Sequence, residues 1–242
     1  MLTLRPATFF LRQHIFLSRD IRHWVILDVA HDAYICVDRR KFESLGQWLH
    51  GWEGTTEYED ISQLPADASD LIGELVRAEI LSNDAEGTKD ARATQLAPST
   101  EELAVASSVP TGKWHWRHAP VFFLSSALAS LQLCTCSLRS IIARVDTRKQ
   151  RNLRSAPAFD IERARTLVEA FDALRPWYPR SYLCRFDSLA LLNFLAWYEL
   201  FPEWVFGVTA EPFKAHCWVR AGTTVLNDTL ERTGAFTPIM RV

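Results

Sequence analysis

Apolar positions recur first with the period of strands and then with that of helices along the opening 80 residues. Phe9 to Leu17 is a mostly apolar run, and His23-Trp-Val-Ile-Leu-Asp28 and Ala33-Tyr-Ile-Cys-Val37 are short runs rich in β-branched and aromatic residues, which predicts strands. Val29-Ala-His-Asp32 predicts a hairpin turn through Asp32, since Asp tolerates turn conformations. Asp38 predicts the N-cap of a helix with Phe42, Leu45, Trp48 and Leu49 on one face, closed by His50-Gly51. A second helix is predicted over 68–81, where Leu71, Ile72, Leu75, Val76 and Ile80 recur at helical spacing.

Residues 83–112 are small, polar and without period, which predicts a linker. One long helix is predicted from Ala119 to Arg151. Its stretch from Ala119 to Leu138 is uncharged over a span-like length, but Ser125, Ser126, Ser130, Gln132, Thr135 and Ser137 suit a buried helix better than a membrane span. Asp160 to Leu174 predicts another helix, which Arg175-Pro-Trp-Tyr-Pro179 ends. Ser181 is expected to cap an apolar helix from Tyr182 to Tyr198. Strands are predicted at 204–209, 213–220 and 223–227. The pattern is α+β: a small three-stranded sheet with helices over 1–82, the linker 83–112, and helices followed by an antiparallel sheet over 113–242.

Composition narrows the choices of function. The 242 residues are 48% hydrophobic and 23% charged, as in soluble globular domains, and only nine are glycine. Neither G-x-G-x-x-G nor G-x-x-x-x-G-K-[ST] occurs, so a phosphate-cradling loop has no home. The net charge of −2 hides a split, with a balance of −8 over residues 1–110 and +6 over 111–242. The nine Trp suggest base stacking, but a pI near 6.4 and the acidic first part oppose nucleic-acid binding. Arg139, Arg144, Arg148, Lys149, Arg151 and Arg154 read as a solvated helix face near a C-terminus. The odd set Cys36, Cys134, Cys136, Cys184 and Cys217 lacks a disulfide spacing and suits a reducing compartment; with no signal peptide read at Met1-Leu-Thr-Leu-Arg5, a cytoplasmic location is expected. Cys134 and Cys136, placed mid-helix, diverge, and His115 and His118 have no nearby third ligand, so no metal is expected.

Candidate chemistry gathers near the C-terminus. Cys184 falls in the first turn of its predicted helix, where unpaired N–H groups and the positive dipole end favour a thiolate. In Phe213-Lys-Ala-His-Cys-Trp-Val219, strand alternation puts His216 on one face with Lys214, Trp218 and Arg220. A helix-start cysteine, a strand histidine and a following carboxylate or amide make a nucleophile, a general base and an orienting group. The orienting group is Asn227 if Ala221-Gly222 forms a two-residue turn, and Asp228 if the loop holds three residues or a bulge intervenes. The second oxyanion donor beside the Cys184 N–H is open, with the Trp177 indole as one candidate.

Leu183-Cys184-Arg185, Ser188-Leu-Ala-Leu191, Phe206-Gly-Val208, Pro212-Phe-Lys-Ala-His216-Cys-Trp-Val219, Leu226-Asn-Asp228 and Phe236-Thr-Pro-Ile-Met-Arg241 together resemble the transglutaminase-like cysteine peptidase domain of lasso-peptide biosynthesis B proteins. The resemblance covers roughly residues 115–242. It implies a papain/transglutaminase-like fold, with Cys184 as nucleophile, His216 as base and Asp228 as orienting acid. Residues 1–80 resemble the PqqD-like precursor-recognition domain, a winged-helix-like unit that binds a leader peptide by adding it to a sheet edge. By position, Tyr34, Ile35 and Val37 on the third strand and Leu71 and Leu75 on the helix would flank the leader. The resemblance implies a leader peptidase for a ribosomally made precursor, acting beside an asparagine-synthetase-like macrolactam synthetase. ATP dependence is implied by the family alone. A transglutaminase-like acyltransferase and a non-catalytic leader-binding adaptor are the alternatives.

Overall fold

A computed structural model describes residues 8–52, 66–103, 113–153 and 159–242. Arg154, residues 104–112 of the expected linker and Met1–Arg5 lie outside the described residues. The chain divides into two compact units, residues 1–95 with 210–212, and 96–209 with 213–242.

The N-terminal unit is built on two small antiparallel sheets. The apolar run at its start is two strands, β1 (Phe10–Arg12) and β2 (Ile15–Arg19), rather than one. β2 continues into β3 (His23–Asp28) and β4 (Ala33–Asp38) as a meander, with Val25 opposite Ser18 and Cys36. Asp32 takes a positive φ of 51° in the β3–β4 turn. Asp28 holds that turn through the N–H groups of Ala30 and His31 and the His31 ring at 2.7 Å.

Asp38 caps α1 (Arg39–Glu43), accepting from the N–H groups of Arg40 and Lys41. The apolar face expected of one longer helix is divided between α1 and a 3-10 turn at Gly46–Trp48. α2 (Ala66–Arg77) ends four residues before the predicted 81, and Leu81 instead enters β5 (Leu81–Ser82), which pairs with β1 as β6 (Thr88–Lys89) does on its other side. Leu11, Ile15, Leu17, Trp24, Phe42, Ile72 and Leu75 share one buried core.

The segment expected as a linker contributes structure to both units, β6 to the first and β7 (Glu101–Glu102) to the second. Two-residue strands carry too little apolar periodicity to be read from sequence; they form because a neighbouring edge offers backbone partners.

In the C-terminal unit the predicted helix 119–151 is two helices, α3 (Ala119–Thr135) and α4 (Leu138–Leu153). Cys136 turns extended (φ −117°, ψ 146°) and the Ser137 hydroxyl accepts from the Ser140 N–H, restarting the helix. Cys134 and Cys136 therefore sit at a helix end, not mid-helix. Among the described residues no helix is long and apolar enough to cross a membrane.

Asp160 caps α5 (Ile161–Leu174) through the Arg163 N–H. α6 (Cys184–Ala196) is buried along most of its length, packed on α3 and on the sheet. The sheet runs β11 (Thr237–Arg241), β8 (Glu203–Ala210), β9 (Phe213–Ala221), β10 (Thr224–Val225), β7, and a short helix α7 (Leu230–Gly234) precedes β11. It is mixed rather than wholly antiparallel, because β7 joins β10 in parallel.

Candidate active site

Two elements deliver the sulfur and the imidazole. α6 begins at Cys184, and its N-cap is Leu183 in an extended conformation, not Ser181. A leucine cannot cap with its side chain, so Asp187 reaches back and accepts from the Leu183 N–H at 2.8 Å. Cys184 is thus the first helical residue, its own N–H free of any intrahelical acceptor and its sulfur at the positive end of the dipole.

The loop leading to Cys184 is wound around one buried guanidinium. Arg175 donates to Asp187 Oδ1 at 2.5 Å and to the carbonyls of Tyr178, Arg180 and Ser181 at 3.4, 3.0 and 3.1 Å. It also lies over the Tyr182 ring at 4.3 Å. Burial raises the Asp187 pKa in spite of the guanidinium beside it.

β9 carries His216, which is 6% exposed and set between the rings of Trp218 and Phe236 at 6.0 and 5.1 Å. Gly207 on β8 makes room for that pair, since a Cβ there would stand 2.8 Å from the Trp218 ring and 2.9 Å from the Phe236 Cβ.

The turn after β9 settles how the neighbouring residues are used. Ala221 pairs with Thr224 and Arg220 with Val225, so the two-residue turn is Gly222-Thr223 rather than Ala221-Gly222, with Gly222 at φ 58°. The ladder ends before residue 227, and His216 gains its partner from the chain beyond. His216 Nε2 meets Asp228 Oδ2 at 2.5 Å. Asn227 turns elsewhere, accepting from the Val219 N–H at 2.7 Å and donating to Ser188 Oγ at 3.1 Å. Ser188 donates in turn to the Cys217 carbonyl at 3.3 Å, tying α6 to β9 one helical turn beyond Cys184.

Cys217, through its side chain and main chain, and His216 are the groups that act on the Cys184 sulfur. With Nε2 engaged by Asp228, Nδ1 is the ring nitrogen left for the sulfur. The Cys217 bond, then the His216 bond and charge, outweigh burial and hold the Cys184 pKa at about 4. Burial works against a charged His216, but the bonds to Asp228 and Cys184 prevail and raise its pKa to about 9. Asp228 is lowered, the His216 bond and the Thr229 N–H overcoming burial. The arrangement is a thiolate–imidazolium pair backed by a carboxylate, able to attack a carbonyl carbon and to protonate its leaving group.

The remaining predicted site residues fare differently. Trp177 is 62% exposed, its ring edge-on to Trp116 at 5.3 Å. On β4, an edge of the meander, Ile35 is exposed while Tyr34 and Val37 are half-buried. Leu75, at 4% exposure, belongs to the core, and Leu71 packs against that core, because this face of α2 is the one that closes the unit. Arg175, Asp187, Ser188 and Cys217 went unassigned by sequence reasoning; an acid three residues past Cys184 was the one local signal available, since a carboxylate in a first helical turn is often a cap.

A sulfur on a helix start facing an imidazole on a strand, on a fold of helices and a sheet, is the arrangement that papain- and transglutaminase-type thiol sites use. Consistent with that class, the family model described as transglutaminase-like superfamily matches residues 128–241. The C-terminal unit thus carries a transglutaminase-like domain, a class that fits cysteine peptidases and acyltransferases. No curated protein and no solved structure matches the chain significantly.

Proposed function

We propose that the protein is a cysteine peptidase that removes the leader from a ribosomally made precursor, in the manner of lasso-peptide maturation. The observation that carries the catalytic part is His216 set between the Cys184 sulfur and Asp228 at 2.5 Å. The Cys184 thiolate attacks the scissile carbonyl, and the Cys184 N–H is one donor to the developing oxyanion. His216 hands its proton to the departing amine. It then takes a proton from water as the acyl-enzyme is hydrolysed, while Asp228 keeps the ring oriented and stabilises its charged form.

Leader binding is assigned to the N-terminal unit. The outer edge of β4 has no strand partner among the described residues and presents Ile35, which suits an extended peptide adding as a further strand. The maturation role further implies a macrolactam synthetase as the consumer of the freed core.

A precursor peptide with a defined leader–core junction tests the reading. Wild type is expected to yield two fragments with free termini by mass spectrometry, and Cys184→Ala to bind the leader without cleaving. Cleavage by Cys184→Ala overturns the assignment. The superfamily match favours a second reading equally, transfer of the acyl group to an amine; it predicts an amide-linked product in place of the free carboxyl terminus.

A further inference from the structure

The chain just ahead of Cys184 leaves large apolar side chains in solvent. Tyr182 is 67% exposed and Leu183 53%, although they directly precede the half-buried thiol and belong to a loop that a buried guanidinium holds in place. Folding alone does not call for them there, since solvated loops are ordinarily built from small and polar residues. Adjoining exposed apolar groups beside a reactive atom mark a surface that a ligand covers.

Their placement is fixed. Arg175 lies against the Tyr182 ring at 4.3 Å and donates to the carbonyls of Arg180 and Ser181 at 3.0 and 3.1 Å, so one face of the ring is backed and the other is open. Leu183 is extended, at φ −136° and ψ 124°, with its N–H taken by Asp187 at 2.8 Å. The backbone is pinned, and the side-chain surfaces remain for use.

Reach decides what that surface meets. A carbonyl carbon bonded to the Cys184 sulfur brings its flanking groups close to Leu183 and Tyr182, because consecutive Cα atoms are only about 3.8 Å apart. A substrate side chain next to the scissile bond therefore has an aromatic face and an aliphatic body to lie on. Arg175 behind the ring is already engaged by Asp187 and three carbonyls. A charged side chain finds no partner in Tyr182 or Leu183, whereas an aromatic one gains both stacking and burial.

We propose that Tyr182 and Leu183 form a docking shelf that selects a precursor with an aromatic side chain beside the scissile bond. Tyr182 supplies the stacking face and Leu183 the apolar edge. The selection of substrate rests on the peptidase reading, with Cys184 as nucleophile; the affinity of the shelf for a ring does not.

Two alkylating reagents read the shelf without substrate. Iodoacetamide and N-benzyliodoacetamide carry the same reacting carbon and both need the thiolate, so the ratio of their rates at Cys184, set against the ratio at glutathione, isolates what the ring contributes. Rates are followed by the mass of the Cys184 peptide released from the full chain, which keeps the other cysteines out of the reading. Relative to glutathione, Cys184 is expected to favour the benzyl reagent by about tenfold, the order that one stacked and buried ring supplies. Tyr182→Ala and Leu183→Ala, checked for folding by circular dichroism, should each lose most of that preference and keep the iodoacetamide rate, whereas Tyr182→Phe keeps both. A wild-type ratio equal to that of glutathione overturns the proposal with no variant needed, and so does a preference that survives both alanine variants.

A precursor arm joins the shelf to cleavage. Serine in place of the aromatic residue beside the scissile bond should raise KM about tenfold with kcat little changed, and Tyr182→Ala should abolish the difference. A ring preference in a protein whose Cys184→Ala variant still cleaves precursor sinks the peptidase reading alone. Cleavage that needs Cys184 but shows no ring preference sinks the shelf alone.

Discussion

Asp228→Asn separates the charge at the His216 ring from the shape around it. The asparagine keeps an oxygen for the Thr229 N–H, which Asp228 holds at 2.8 Å, but removes the carboxylate that faces His216 Nε2 at 2.5 Å. A hydrogen bond between charged partners is worth about 1.5–3 kcal/mol. At about 1.4 kcal/mol per pKa unit, its loss moves the imidazolium down by about one to two units. The starting value is about 9, so the variant should titrate at about 7–8, with the burial of His216 then opposed by the Cys184 thiolate alone. The window in which thiolate and imidazolium coexist spans about 4 to about 9 in wild type and loses its upper part in the variant. Iodoacetamide reads that window with no substrate, by following the alkylation rate of Cys184 across pH in digests analysed by mass. Wild type should show one step near 4 and a second near 9; the variant should keep the first and move the second to about 7–8. A folded variant with its upper step still near 9 would refute the coupling of Asp228 to the ring.

Other outcomes follow from neighbouring contacts. Asn227→Ala removes the acceptor of the Val219 N–H and the donor to Ser188, and should cost about 1–3 kcal/mol in denaturant melts while leaving the upper pH step near 9. Gly207→Ala drives a methyl into the Trp218 ring and the Phe236 Cβ, and should cost about 1–3 kcal/mol and slow Cys184 chemistry by tilting the rings beside His216. Arg175→Met leaves the half-buried Asp187 carboxylate without its cation and frees three carbonyls, so a loss of about 3–5 kcal/mol is expected by thermal or denaturant unfolding. Asp38→Ala takes the cap from α1 and should cost about 1 kcal/mol in the N-terminal unit, with Cys184 alkylation unchanged.

Short-range signals were the legible ones. The runs at 23–28 and 33–37 read as strands because side-chain period and β-branching act within a few residues, and Asp38 announced a helix start because a cap acts over two or three. The same locality made Cys184 and His216 readable as a helix-start thiol and a strand imidazole. Ser181 misled for the opposite reason. Its carbonyl is taken by Arg175, and the cap passed to an aspartate inside the helix. The break after α3 was hidden by an uninterrupted apolar pattern; Cys136 carries no breaker signal, and Ser137 looked like one more polar position in a helix.

Local chemistry in the chain, then, established an α+β protein with a thiol poised at a helix start and a base on a strand. Which residue orients that base was a matter of tertiary structure alone. A turn displaced by one residue changes every cross-strand partner, and the backbone beyond a ladder is positioned by packing rather than by period, so Asp228 and Asn227 were equivalent in sequence and are opposite in space. The same holds for Cys217 beside Cys184. They lie more than thirty residues apart, and only the packing of α6 on β9 makes them neighbours.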